Sequence, residues 1–69
     1  MNRVPVSSSN VSSVGYDSST STLEIEFHSG SVYQYFDVPE FVYRELVSAV
    51  SIGSYLNRHL KGSYRYAKL

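Results

Sequence analysis

The 69-residue sequence has no cysteine and no tryptophan, only two prolines and a single methionine. Without cysteine there is neither a disulfide nor a thiolate metal site. The two histidines, His28 and His59, lie far apart and match no ligand spacing, so no metal is expected. No apolar run approaches the roughly 20 residues of a membrane span. The opening MNRVPVSSSN also lacks the apolar stretch of a secretory leader. The expectation is a cytoplasmic protein with no membrane partner. Glycine-rich phosphate loops and serine nucleophile elbows are absent as well. Glu24 and Glu26 sit two residues apart on one strand face and read as solubilising charge rather than an acid/base pair. His59 falls within an apolar stripe and reads as a packing residue. The sequence therefore predicts neither an enzyme nor a cofactor.

What is present fits one small domain, residues 1–69, with residues 1–9 as an extended, serine-rich arm held off helix by Pro5. A chain of this length buries only about 60% of its unfolded surface. With no covalent staple, stability must come from packing or self-association. Seven tyrosines and three phenylalanines supply large contact area for either. Formal charge is zero, but all six acids lie between Asp17 and Glu45. Beyond Glu45 come only cations: Arg58, Lys61, Arg65 and Lys68. Such a block suits a helix C-terminus or an anionic partner.

The periodicity predicts three strands and two helices. Val11–Asp17 is the first strand, with imperfect alternation at Val11, Val14 and Tyr16. Residues 22–28, TLEIEFH, alternate strictly, with Leu23, Ile25 and Phe27 opposed to Glu24, Glu26 and His28. A glycine-containing turn leads to VYQYFDV, the third strand. Pro39 opens a helix whose stripe is Val42, Leu46 and Ala49, with Glu40 and Arg44 as an i,i+4 pair. SIGSYLNRHLKG reads as a second helix with Ser51 as N-cap and Gly62 just past its end. Ile52, Tyr55, Leu56, His59 and Leu60 form its stripe. The tail SYRYAKL docks through Tyr64, Tyr66 or Leu69. The expected fold is α+β: a three-stranded antiparallel sheet with two C-terminal helices on one face, in the order β-β-β-α-α.

Three constellations point to ligand binding. Tyr33 and Tyr35 share a strand face whose direction depends on hairpin register. A two-residue loop sets Phe27 opposite Val32 and turns both tyrosines outward beside the glutamates. A three-residue loop pairs Phe27 with Tyr33 and Ile25 with Tyr35, turning them to the core. Because a one-residue slip exchanges the faces, and the first register buries Gln34 beside Ile25, we favour the core face with the hydroxyls at its rim. Next, Ser51, Gly53 and Ser54 stand at a helix N-terminus, either as an anion site or simply as a cap. Lastly, Tyr55, Asn57, Arg58, Lys61, Tyr64, Arg65 and Tyr66 interleave aromatic and basic side chains. That pattern lets rings stack on bases while cations meet phosphate; the alternative is a solvated helix face and a docked tail.

The segments PVSSSNVSSVGYD, LEIEF, YQY, VP, YLN and YAKL, in this order and spacing, resemble the KTSC domain family. That family is named for a short domain at the C-terminus of some lysyl-tRNA synthetases and also occurs as stand-alone bacterial and phage-type proteins. Tyr33-Gln34-Tyr35 corresponds to its central Y-x-Y motif. The synthetase context implies RNA as a partner. The functional expectation is a non-catalytic binding domain for RNA or a nucleotide-type ligand, including sequestration of a small or cyclic nucleotide. The alternative is a protein-interaction or self-association module, a homo-oligomer with no nucleic-acid role.

Overall fold

A computed structural model describes residues 2–69. Five strands form one antiparallel meander: β1 (Arg3–Pro5), β2 (Val11–Asp17), β3 (Thr22–Phe27), β4 (Val32–Tyr35) and β5 (Tyr66–Lys68), neighbours in that order. Between β4 and β5 lie α1 (Glu40–Val47) and α2 (Ile52–Tyr55), the latter continuing into a π-helical turn, Leu56–Leu60. The three-stranded sheet expected from the sequence is thus corrected to five strands, within the same α+β class. The two additional strands are three residues each, too short to show a period of two. Their ladders are set by partners, Val4 opposite Val14 and Ala67 opposite Gln34.

β3 behaves as its alternation demands. Leu23 and Ile25 are fully buried, while Glu24 and Glu26 face the open side of the sheet. There Arg3 pairs with Glu24 at 3.1 Å, Gln34 donates to Glu24 at 2.9 Å, and the Ser13 hydroxyl donates to Glu26 at 2.9 Å. Gly15 makes the first contact possible. A Cβ there would lie 2.8 Å from the Asn2 carbonyl oxygen and 2.9 Å from Arg3 Cγ, so β1 can lie this close only over a bare backbone.

β2 explains its own irregular pattern. Val11 pairs with Phe27 but Ser13 with Glu26, leaving Ser12 as a bulge. The extra residue resets the alternation, so Val11 and Val14, three apart, are both buried.

The core joins this face of the sheet to the helices: Val11, Val14, Leu23, Ile25 and Tyr35 meet Val38, Val42, Leu46, Ile52, Leu56 and Leu60. Burying such side chains contributes roughly 1.5–3 kcal/mol each before entropy is counted. Pro39 is the residue before the first helical turn rather than within it, and Glu40 and Arg44 form the expected pair at 3.1 Å. β4 stops because Asp37 takes a left-handed conformation, φ 57°, which aspartate tolerates better than most residues. Tyr16 stacks on Tyr43 with centroids 5.3 Å apart and donates its hydroxyl to the Val38 carbonyl, tying α1 to β2.

The second helix is not uniform. The Lys61 N–H bonds the Leu56 carbonyl five residues back, the signature of a π turn. Leu56 and Leu60 remain buried, but His59 is exposed, its ring 4.4 Å from that of Tyr55. The expectation that His59 packs inside the stripe is corrected: one extra residue in the turn leaves it on the outside.

Candidate functional site

The β3–β4 hairpin decides where the tyrosine pair points. Leu23 pairs with Tyr35 and Ile25 with Tyr33 across the three-residue loop His28-Ser29-Gly30. Both tyrosines therefore face the helix side, as the core-face reading requires, though each is paired two residues earlier along β3 than that reading set them. The expected burial of both rings needs refinement. Tyr35 is 3% exposed, whereas Tyr33 is only half-buried and packs at the edge of the core.

The reason is coverage. The helices overlie β2, β3 and the inner part of β4 but leave the β4–β5 flank open. Tyr66, opposite Tyr35 on the same face, is 60% exposed. The result is a groove of about 740 Å³, lined on its apolar side by Phe27, Tyr33, Tyr35 and Tyr66. Phe27 meets Tyr33 edge-on at 5.6 Å, and Tyr66 lies 5.8 Å from both Tyr33 and Tyr35. Burial, and then the neighbouring phenols of Tyr33 and Tyr66, push the Tyr35 hydroxyl above its usual pKa, so it is a neutral donor at physiological pH.

The other rim is polar. Ser9 and Asn10 come from the β1–β2 connection, and His28, Ser29 and Ser31 from the hairpin. Two bonds hold these segments together: the His28 N–H donates to the Asn10 carbonyl at 2.9 Å, and His28 Nε2 lies 2.8 Å from the Ser8 carbonyl. Because a carbonyl only accepts, that contact places the proton on Nε2. Lys61, emerging from the π turn beside Gly62, closes one end, with its Nζ 5.9 Å from the centre of the Phe27 ring. Among the described residues, no Asp or Glu lines this groove.

Of the residues singled out in the sequence, the groove gathers Tyr33, Tyr35, Lys61 and Tyr66. Ser51, Gly53, Ser54 and Asn57 border a separate polar cleft of about 560 Å³ against Ser7–Asn10. Ser51 there accepts the Ser54 N–H at 3.2 Å, the geometry of a cap. Tyr55 donates to Glu45 at 2.7 Å; partial burial and that carboxylate push its hydroxyl up to about 12. Tyr64 packs against the core, and Arg58 is exposed and borders neither hollow. Arg65 pairs with Asp37 at 2.9 Å and lies over Phe36, 5.6 Å from its centre.

Sequence reasoning missed Phe27, Ser9, Asn10 and His28 as lining residues. Phe27 carried a usable signal, since it ends the strict alternation of β3 and, in the register that turns Tyr33 and Tyr35 to the core, shares their face. The polar rim carried none, because it is assembled from two connections that meet only in the folded chain. No helix among the described residues is long and apolar enough to cross a membrane. No group of three or more His, Asp or Glu residues is arranged to hold a metal ion among them.

Comparison with known proteins agrees with this architecture. Residues 7–64 match the family model of the KTSC domain. The chain is 50% identical over 54 residues, 78% of its length, to a lysine–tRNA ligase of Trichormus variabilis, of which the matched part is 10%. It thus spans about a tenth of the ligases it matches. A protein of Stutzerimonas stutzeri is 41% identical over 100% of this chain and 99% of its own length. The crystal structure of a KTSC domain protein from Yersinia pestis superposes with a TM-score of 0.96 at 41% identity, covering 99% of this chain and 96% of that one. A family match across most of the sequence and a solved relative matched almost end to end lead to one conclusion: the chain belongs to the KTSC domain family.

Proposed function

We propose that the aromatic groove binds an unpaired base of RNA, or of a nucleotide, and holds it without chemical turnover. One observation carries this reading: four aromatic side chains converge on an open groove that has a lysine at one end and no acid in its lining. Aromatic faces bind bases by stacking, worth about 1–3 kcal/mol per base, and tolerate any sequence. Zero formal charge argues against a long duplex, whose affinity depends on neutralising many phosphates. A short single strand or a compact nucleotide fits better. The related segment in lysine–tRNA ligases is consistent with a setting in which RNA is at hand. Stacking surfaces and a single cation bind a ligand but do not themselves break a bond, so the domain is a binding module.

The test is an amide-shift titration with short single-stranded RNAs and with mononucleotides. Shifts are expected at Phe27, Tyr33, Tyr35, Lys61 and Tyr66, and Tyr66→Ala should abolish them. Absence of any shift in the groove overturns the reading.

A second reading has an observation of its own. β5 is the last strand of the sheet, and Tyr66 and Leu69 are exposed beside its free edge. Such an edge pairs with a partner strand or a second copy. Sedimentation across a concentration series tests it, and a monomer throughout removes self-association.

A further inference from the structure

The groove's charge is confined to one point, and that limits what it can take. Lys61 is the sole Lys or Arg among its lining residues. Arg65 is held by Asp37, and neither Arg58 nor Lys68, which stands opposite Tyr33 on β5, is among the residues lining either hollow. Lys61 follows directly on the π turn, none of whose residues lines the groove. One phosphate is offset by the Lys61 ammonium; a second and third would meet no cation in the lining. The ring end differs in kind: Tyr33 and Tyr66, half-buried and exposed, offer faces that a base can cover. The volume, about 740 Å³, is in the usual range of small-molecule sites.

We infer that the groove takes one nucleotide unit through one phosphate, with the base against Tyr33 and Tyr66 and the phosphate on Lys61. This rests on the base-binding reading above and adds to it the number and position of the phosphates. The unit is either a free nucleoside monophosphate or one residue of an RNA strand. The chemistry at Lys61 is the same for both. To engage the phosphate, the ammonium leaves the face of Phe27, a short swing for a side chain with four rotatable bonds.

The experiment measures affinity for adenosine and its 5′-mono-, di- and triphosphates, and for a four-residue oligoadenylate, in the intact chain and in Lys61→Gln. The monophosphate should bind about tenfold tighter than the nucleoside, equivalent to about 1.4 kcal/mol. The di- and triphosphates should stay within about twofold of the monophosphate. Lys61→Gln should erase the gap between nucleoside and monophosphate, while Arg58→Gln should preserve it. For the oligoadenylate, the slope of log affinity against log salt should be about −0.7, the value for one phosphate on a single strand. A slope steeper than about −1.4, a further tenfold gain per added phosphate, or a gap that survives Lys61→Gln overturns the single-phosphate inference and leaves base binding standing. If adenosine itself does not shift the groove, base binding falls and this inference falls with it. A monophosphate that binds no tighter than a short oligoadenylate of the same salt slope identifies the strand as the better source; the reverse identifies the free nucleotide.

Discussion

The helix-facing side of the sheet has two halves built on the same alternation but with opposite fates. On β2 and β3, Val14, Leu23 and Ile25 are sealed under Leu46, Leu56 and Leu60. On β4 and β5, Tyr33 and Tyr66 point the same way yet meet solvent. Strand periodicity sets which face a side chain joins; only the reach of the helices sets whether that face is core or binding surface. The residue types follow the difference. Aliphatic side chains fill the sealed half, where close packing is rewarded. Tyrosines fill the open half, where a ring with a polar tip is stable half in water.

The comparison can be broken from its sealed side first. Leu56→Ala empties a site that is 1% exposed and should cost about 2–5 kcal/mol, read from urea unfolding. Tyr35 sits on the boundary between the halves. Tyr35→Ala should cost about 3–5 kcal/mol because the ring is almost wholly buried. Tyr66→Ala should cost only about 1 kcal/mol, mainly its stacking on Tyr33 and Tyr35, yet remove ligand binding. If the two variants lose equal stability, the division into sealed and open halves is wrong. Gly15→Ala probes the opposite face. Its methyl would press on the Asn2 carbonyl and Arg3, so β1 must move, at about 1–3 kcal/mol.

A pH series gives a subtler contrast. The Tyr55 hydroxyl has its pKa raised from 10 to about 12 by partial burial and by its bond to Glu45. The folded state thus holds this proton more tightly than the unfolded chain. Its contribution is complete below pH 10 and disappears as pH rises from 10 through about 12. Phenolate absorbance should show late-titrating tyrosines, and Tyr55→Phe should remove one of them. The smallest effect belongs to the exposed Arg65–Asp37 pair. Arg65→Gln should change stability by no more than about 1 kcal/mol, because solvent screens such pairs.

Much of the framework was legible. β3 announced itself by strict alternation, α1 by its Val42–Leu46 stripe, and Ser51 by the residue type that caps helices. β1 and β5 were not, because a three-residue strand carries no period and takes its hydrogen bonds from whichever neighbour receives it. The hairpin was legible to its face but not to its register: loop parity fixes which side the tyrosines take, while the exact partners depend on where the turn closes. The candidate site was legible as residue types, with Tyr33, Tyr35, Lys61 and Tyr66 all marked. Their grouping, and the separation of Arg58 and Arg65 from them, followed from helix length and placement, which no local pattern encodes. His59 shows the same limit, since the π turn that turns it outward is invisible to a count of 3.6 residues per turn.

That turn has a consequence for how the family's members can vary. It carries one residue more than an α-helical turn would need, and Lys61 is the first residue beyond it. Deleting a single residue between Leu56 and Leu60 would return the turn to α-helical winding while leaving later side chains in register, because the π turn takes up its extra residue locally. The lysine would then keep its aim at Phe27. In this fold the wide turn is slack in the winding, so a one-residue difference in length there can be taken up without turning Lys61 away from the groove.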